Sequence, residues 1–190
     1  MLTDTRLIVL GAVYQFQPVH GYFLRRELET WRMSEWAHVR AGSIYGALRS
    51  LEKDEYIISE TPTQESNYPA KTHYTVSETG KVELLRAVRS TLWDASLFDS
   101  RSAFIVASFM FVLTREEVLA GLHGRVSKIE RIIAENQFNI AETVDSETTP
   151  AYVREILELA ERRVNAEREW ALALIERIQA GEYQFSDTGS

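Results

Sequence analysis

Tyr45, Arg49 and Lys53 recur every fourth residue, so a helix through them carries an aromatic ring and two cations along one side. Side chains of these types donate hydrogen bonds to anions and to base edges rather than make or break bonds. Ile44, Ala47, Leu48 and Leu51 fall on a second, apolar stripe of the same helix. A helix that packs on one side and is basic on the other suits the major groove of DNA. Enzyme chemistry finds no support. The chain has no cysteine, which removes disulfides, thiolate catalysis and Cys-based zinc or iron–sulfur sites. His20, His38, His73 and His123 are scattered without metal-ligand spacing. No Gly-rich phosphate loop, nucleophile elbow or HExxH motif occurs. A non-enzyme without a cofactor is expected.

The elements that must position this helix can be read on either side of it. Leu7 to Val13 is an apolar run ending near Gln17-Pro18, expected as a first helix. Leu24, Leu28 and Trp31 at helical spacing predict a second helix over 20–31, with Arg25, Arg26, Glu27 and Glu29 on its wet side. Residues 32–42 connect it to the Tyr45 helix. Tyr56–Glu60 and Thr72–Val76 are β-branched and aromatic enough to be two strands. Between them, 61–71 has the prolines, asparagine and hydroxyls of an exposed hairpin loop. Ser77 then caps a helix running to about Thr91. Helix, turn, helix and a strand–loop–strand form a head with a wing.

The second half turns to long helices. Thr114-Arg115-Glu116-Glu117 has the spacing of a capping box. After it, Leu119, Leu122, Val126, Ile129, Ile133, Asn136 and Ile140 form a heptad seam. Thr149-Pro150 is expected to open the last helix as N-cap and first residue, and Gly181 to stop it. Val153, Leu157, Ala160, Val164, Ala171, Leu174 and Ile178 keep a second seam, with Glu167 as its one polar member. Two such seams are most simply buried by a helical hairpin packed against its copy in a homodimer. The alternative is that they pack on each other and on a helix over 101–113. Asn136 then either fixes register across the dimer contact or faces water. The chain is expected to divide into a head over 1–95, a helical dimerisation domain over 96–182 and a flexible tail over 183–190.

The net charge of −7 is unevenly spread. Residues 1–90 hold eleven Lys/Arg and eleven Asp/Glu, whereas residues 91–190 hold ten and seventeen. The head is neutral on average, so DNA binding requires its cations to be gathered on one surface. No segment has the form of a signal peptide, and Leu7–Val13 is too short to span a bilayer. A cytoplasmic protein without a membrane partner is expected.

His20-Gly21-Tyr22, then Gly42-Ser43-Ile44-Tyr45 with Ala47-Leu48 and Leu51-Glu52, then Tyr74-Thr75-Val76-Ser77-Glu78-Thr79-Gly80 resemble the PadR family of bacterial transcriptional regulators. The resemblance covers roughly residues 5–90 and rests on three motifs in the right order. It implies a winged helix-turn-helix, mainly α with a small two-stranded wing, and a dimer bound to a pseudo-palindromic operator in double-stranded DNA, usually as a repressor. The long helical second half is similar to the larger C-terminal dimerisation domain of one branch of the family. One departure is Glu55, where the family pattern Leu-Glu-x-x-Gly has glycine after the recognition helix. Either Glu55 adopts a left-handed conformation or the helix ends differently.

Carried over onto this chain, the resemblance places Ser43, Tyr45 and Arg49 in the groove, Arg40 at the phosphates near the helix N-terminus and Lys53 toward the far end. Ordinary alternatives are that Tyr45 packs on the preceding helix and that Lys53 stabilises the helix dipole. Lys71 and His73 flank the wing loop, with Asn67 and Tyr68 near its tip. Arg25 or Arg26, on the helix that crosses the DNA backbone, is expected to meet phosphate. His20 is expected to cap a helix or anchor a turn. Trp93 is either a platform for a small-molecule effector or core packing. The apolar run Phe104–Phe111 is expected in the core. Two other readings remain: a winged-helix scaffold for protein–protein contact without DNA binding, and a MarR-type regulator, which needs dimer helices from both chain ends where this chain has a short first helix.

Overall fold

The computed structural model describes residues 2–60, 72–145 and 148–186. It falls into two compact units, Met1–Ala87 and Val88–Ser190. In the first, α1 (Asp4–Phe16) begins at Thr3, whose hydroxyl accepts the Arg6 N–H, and Leu7 through Val13 are all buried. A helix buried on every side needs neighbours all round, and α4 (Ala41–Lys53), β3 (His73–Val76) and α2 (Gly21–Thr30) supply them. His20 caps α2, its Nδ1 accepting the Phe23 N–H at 3.1 Å. The connector expected over 32–42 contains a further short helix, α3 (Met33–Trp36), bracketed by Arg32 and His38 in left-handed backbone.

α4 buries Ile44, Ala47, Leu48 and Leu51, the stripe its spacing required. Its end is a Schellman motif: the Tyr56 N–H reaches the Leu51 carbonyl, and the Glu55 N–H reaches Glu52. Glu55 takes the left-handed position at φ 60°, so of the two outcomes open for this residue the strained one occurs. The sheet is larger than the two expected strands. Val19–His20 forms β1, β2 is Ile57–Glu60, and the antiparallel order is β1-β3-β2. Val19 stands opposite Tyr74 and His20 opposite His73, while β2 pairs Ile57 with Val76 through Glu60 with His73. Ser77 then accepts the Gly80 N–H at the start of α5 (Glu78–Leu92).

In the second unit α6 (Arg101–Phe109) and a 3-10 turn over Met110–Val112 precede α7 (Arg115–Asp145) and α8 (Tyr152–Gln179). The capping box at Thr114 forms as its spacing requires. The Thr114 N–H donates to Glu117 Oε2 and the Glu117 N–H to Thr114 Oγ1. The two seams run antiparallel and pack on each other within the chain, with Leu119, Ile133, Ile140, Val153 and Leu157 only half-buried. Asn136 neither spans a dimer contact nor faces water. It is 1% exposed and its Nδ2 donates to the Leu157 carbonyl and Glu161, both on α8 of the same chain. α8 starts later than expected, with Ala151 rather than Thr149 at the N-cap. Gly181 does stop it, at φ 81° in a second Schellman motif. Within the described part of the tail, Phe185 is 5% exposed and the Ser186 N–H reaches the Leu113 carbonyl. Among the described residues no helix is long and apolar enough to cross a membrane.

Candidate nucleic-acid interface

The outer face of α4 is set by its inner one. With Ile44, Ala47, Leu48 and Leu51 buried, Ser43, Tyr45, Arg49 and Lys53 are left on exposed positions. Tyr45 satisfies both readings of it. Its ring rests on the backbone of Gly21, where an added Cβ would lie 2.9 Å from Cε1, and 40% of the residue remains exposed. Ser43 donates its hydroxyl to the Arg40 carbonyl at 2.7 Å, which leaves its oxygen lone pairs outward at the first turn. Arg40 is the N-cap residue, exposed, with no side-chain cap bond.

The cations of this unit sort sharply. Arg6 pairs with Asp54, Arg25 with Glu29, Arg26 with Glu27, Arg32 with Glu35 and Arg86 with Glu83. Among the described residues Arg40, Arg49, Lys53 and Lys81 make no ion pair, and all but Lys81, which is on α5, lie on α4 or at its start. A neutral unit therefore presents a basic helix, since its other charges largely cancel one another. Arg25 and Arg26 are less free: their guanidinium groups lie over the rings of Tyr22 and Phe23 at 5.3 and 5.2 Å.

Two residues of the face carry no signal of charge. Gly42 and Gly46, four apart, have nothing within 4 Å of an added Cβ. The first half of the helix therefore offers bare backbone, and the second half offers Arg49 and Lys53. Spacing alone would have revealed them, had small residues been sought on the wet stripe as well as charged ones. Tyr74 lies on β3. It is half-buried, and its hydroxyl titrates above the usual range because of burial first and then Glu52 and Tyr45, against the pull of Arg49.

His73 lies in the central strand, half-buried, its ring 6.0 Å from that of His20. That is the root of the wing rather than its tip. Lys71, Asn67 and Tyr68 lie outside the described residues.

In the second unit Trp93 is 54% exposed and lies flat enough on α7 that a Cβ at Gly124 would be 1.9 Å from Cζ3. A separate cavity of about 430 Å³ opens between α6 and α8, and Trp93 does not line it. The run expected in the core is split there: Ile105, Val106, Phe109 and Met110 are buried, but Phe104 is 47% exposed on the cavity wall. Beneath lies a feature not anticipated, the fully buried Arg125. It donates to Glu167 Oε1 at 2.8 Å, to the Thr91 and Leu92 carbonyls and to Ser102 Oγ. Its signal was present, since Leu122, Arg125 and Ile129 are themselves spaced three and four apart. Burial pushes the Glu167 carboxyl above its usual range, against the pull of Arg125.

Compared with known proteins, residues 9–86 match the transcriptional regulator PadR-like family. No curated protein sequence matches. Among solved structures, Bacillus subtilis PadR in complex with operator DNA is 19% identical, covering 91% of this chain and 98% of that one at a TM-score of 0.38. A PadR-like transcriptional regulator from Bacillus cereus is 20% identical, with coverage of 94% and 97% and a TM-score of 0.42. Bacillus subtilis PadR in complex with p-coumaric acid is 17% identical, with coverage of 92% and 98% and a TM-score of 0.38.

Proposed function

We propose that this chain, whose residues 9–86 match the transcriptional regulator PadR-like family, is a repressor that binds a pseudo-palindromic operator as a homodimer. The observation that carries this reading is the sorting of charge: among the described residues, three of the four cations of this unit left without carboxylate partners, Arg40, Arg49 and Lys53, lie on α4 or at its start. Two copies of α4 about 34 Å apart enter successive major grooves. Arg49 reads a base or holds a phosphate, Tyr45 and Ser43 touch the groove wall, and Arg40 meets phosphate at the helix N-terminus. Arg25, Arg26, Lys53, Lys71 and His73 contribute backbone contacts around them. Affinity is steeply salt-dependent.

The inner seams pack on each other within the chain, and the dimer uses a further surface. α8 supplies one in Tyr152, Ile156 and Leu159, spaced four and three apart and 66%, 51% and 63% exposed. A row of large apolar residues in water marks an association surface. A second copy of the chain covers it.

The test is fluorescence anisotropy on DNA from the protein's own promoter, over a salt series, with wild type and Arg49→Ala. Wild type binds with a negative salt slope, and Arg49→Ala loses on the order of tenfold or more of specific affinity, as removal of a bidentate base contact does. Equal affinity of the two proteins removes Arg49 from the site. No salt-sensitive binding at all replaces the DNA reading with the protein-scaffold one.

A further inference from the structure

An arginine and a glutamate three residues apart on a helix ordinarily meet. Glu83 and Arg86 do so on α5 at 2.6 Å, and Arg32 and Glu35 at the start of α3 at 2.8 Å. Arg49 and Glu52 have the same spacing on α4. Of the positions three or four from Arg49, which hold Tyr45, Gly46, Glu52 and Lys53, Glu52 is the acidic one. Yet among the described residues Arg49 makes no ion pair. Glu52 is engaged elsewhere: the Ser59 hydroxyl, on β2, donates to its Oε1. Ser59 stands opposite Tyr74 on β3. The Tyr74 hydroxyl titrates high through burial first and then through the Glu52 carboxylate, which fits a charge turned toward the sheet. Asp54, the next carboxylate along, is drawn off in a similar way by Arg6 on α1 at 2.5 Å.

We propose that Ser59 is a positioning residue: its hydroxyl holds the Glu52 carboxylate against β2 and so keeps Arg49 unpaired on the groove-facing side of α4. The inference rests on the DNA-binding reading and deepens it, because it names what keeps the central cation of that face available. Ser59 acts through Glu52 and not by contact with DNA. The competition is an even one, which is why a single hydroxyl decides it. An exposed ion pair is worth little, whereas a hydroxyl on a carboxylate makes a charge-assisted bond. Were Glu52 to swing onto Arg49, it would occupy the donors that a guanine edge or a phosphate needs. It would also bring a negative charge toward the phosphates and lower the affinity further.

The test is a double-mutant cycle of the full chain, read by fluorescence anisotropy on promoter DNA with wild type, Ser59→Ala, Glu52→Gln and the double variant. Ser59→Ala loses about two- to fivefold in affinity, the range an exposed ion pair supplies. In the Glu52→Gln background the same change loses nothing, since no carboxylate is left to swing. Ser59→Thr keeps the hydroxyl and with it the affinity. Ser59→Val also removes the hydroxyl, with a side chain that favours strands, and serves if Ser59→Ala fails to fold. An equal loss in both backgrounds, or no loss in either, overturns the proposal. A second readout needs no DNA. In ¹H–¹⁵N NMR spectra the Arg49 Nε–H signal shifts and exchanges more slowly with water in Ser59→Ala, and returns to its wild-type position in the double variant. An unmoved Arg49 signal in Ser59→Ala overturns the role given to Ser59. A moved signal in a protein whose wild type fails to bind promoter DNA upholds that role and overturns only the regulator reading.

Discussion

Arg125 and Glu167 meet out of water, Nε to Oε1 at 2.8 Å, with side chains 0% and 5% exposed. Three segments converge on that guanidinium, through the carbonyls of Thr91 and Leu92 on α5, the hydroxyl of Ser102 on α6 and the carboxylate on α8. An Arg is suited to this because its five donors are held in one plane.

Removing either partner alone strands the other charge in the interior. Arg125→Met and Glu167→Leu should each lower stability by about 3–5 kcal/mol, whereas the double variant should recover most of the loss. A urea-denaturation double-mutant cycle checks this. Additive losses would show that the pair is not the unit that matters.

Gly46 and Gly80 should respond in opposite ways. A side chain at Gly80 would meet the Tyr56 carbonyl oxygen at 1.9 Å, so Gly80→Ala should cost about 3 kcal/mol or more. Gly46→Leu meets nothing and should leave the melting temperature unchanged or higher, while promoter-DNA affinity falls because bulk now stands on the groove-facing backbone. Thermal denaturation and anisotropy on the same two proteins separate the effects.

Glu55→Gly should stabilise the protein. Glu55 sits at φ 60° in the helix-end position that favours glycine, and a left-handed non-glycine residue costs roughly 1–2 kcal/mol. The greater freedom of glycine in the unfolded chain takes back part of that, so a net gain of about 0.5–1 kcal/mol is expected by chemical denaturation.

The α7 cap should weaken in acid. The Thr114 N–H first, and then Arg89, hold the Glu117 carboxyl below its ordinary range. Its folded value is thus below its unfolded one, so the stability it contributes is present above the ordinary carboxylate range and is lost as pH falls through the folded value. Glu117→Ala should remove that part of the acid dependence. Equal pH profiles of the two proteins by denaturation would count against the cap.

What could be read from residues alone follows their spacing. α4 was legible because Ile44, Ala47, Leu48 and Leu51 leave no other face to bury, and the Thr114 cap because two residues three apart define it. α3 and β1 were not, since four and two residues carry no period. Partner choice was equally hidden. A seam announces that it is buried but not by which chain, so Asn136 was open between a dimer contact and water when its partners are Leu157 and Glu161. For the site, spacing placed Tyr45, Arg49 and Lys53 on one exposed face. It could not say that the other arginines of the unit are occupied by neighbouring carboxylates, which depends on side-chain reach in three dimensions.

Phe185 lies tucked away beyond the last helix, and the backbone of Ser186 is tied to Leu113. Anyone shortening this protein at Gly181, or splicing a fluorescent reporter there, would pull a plug from the base of the hairpin and expose grease to solvent. A label belongs after Ser186.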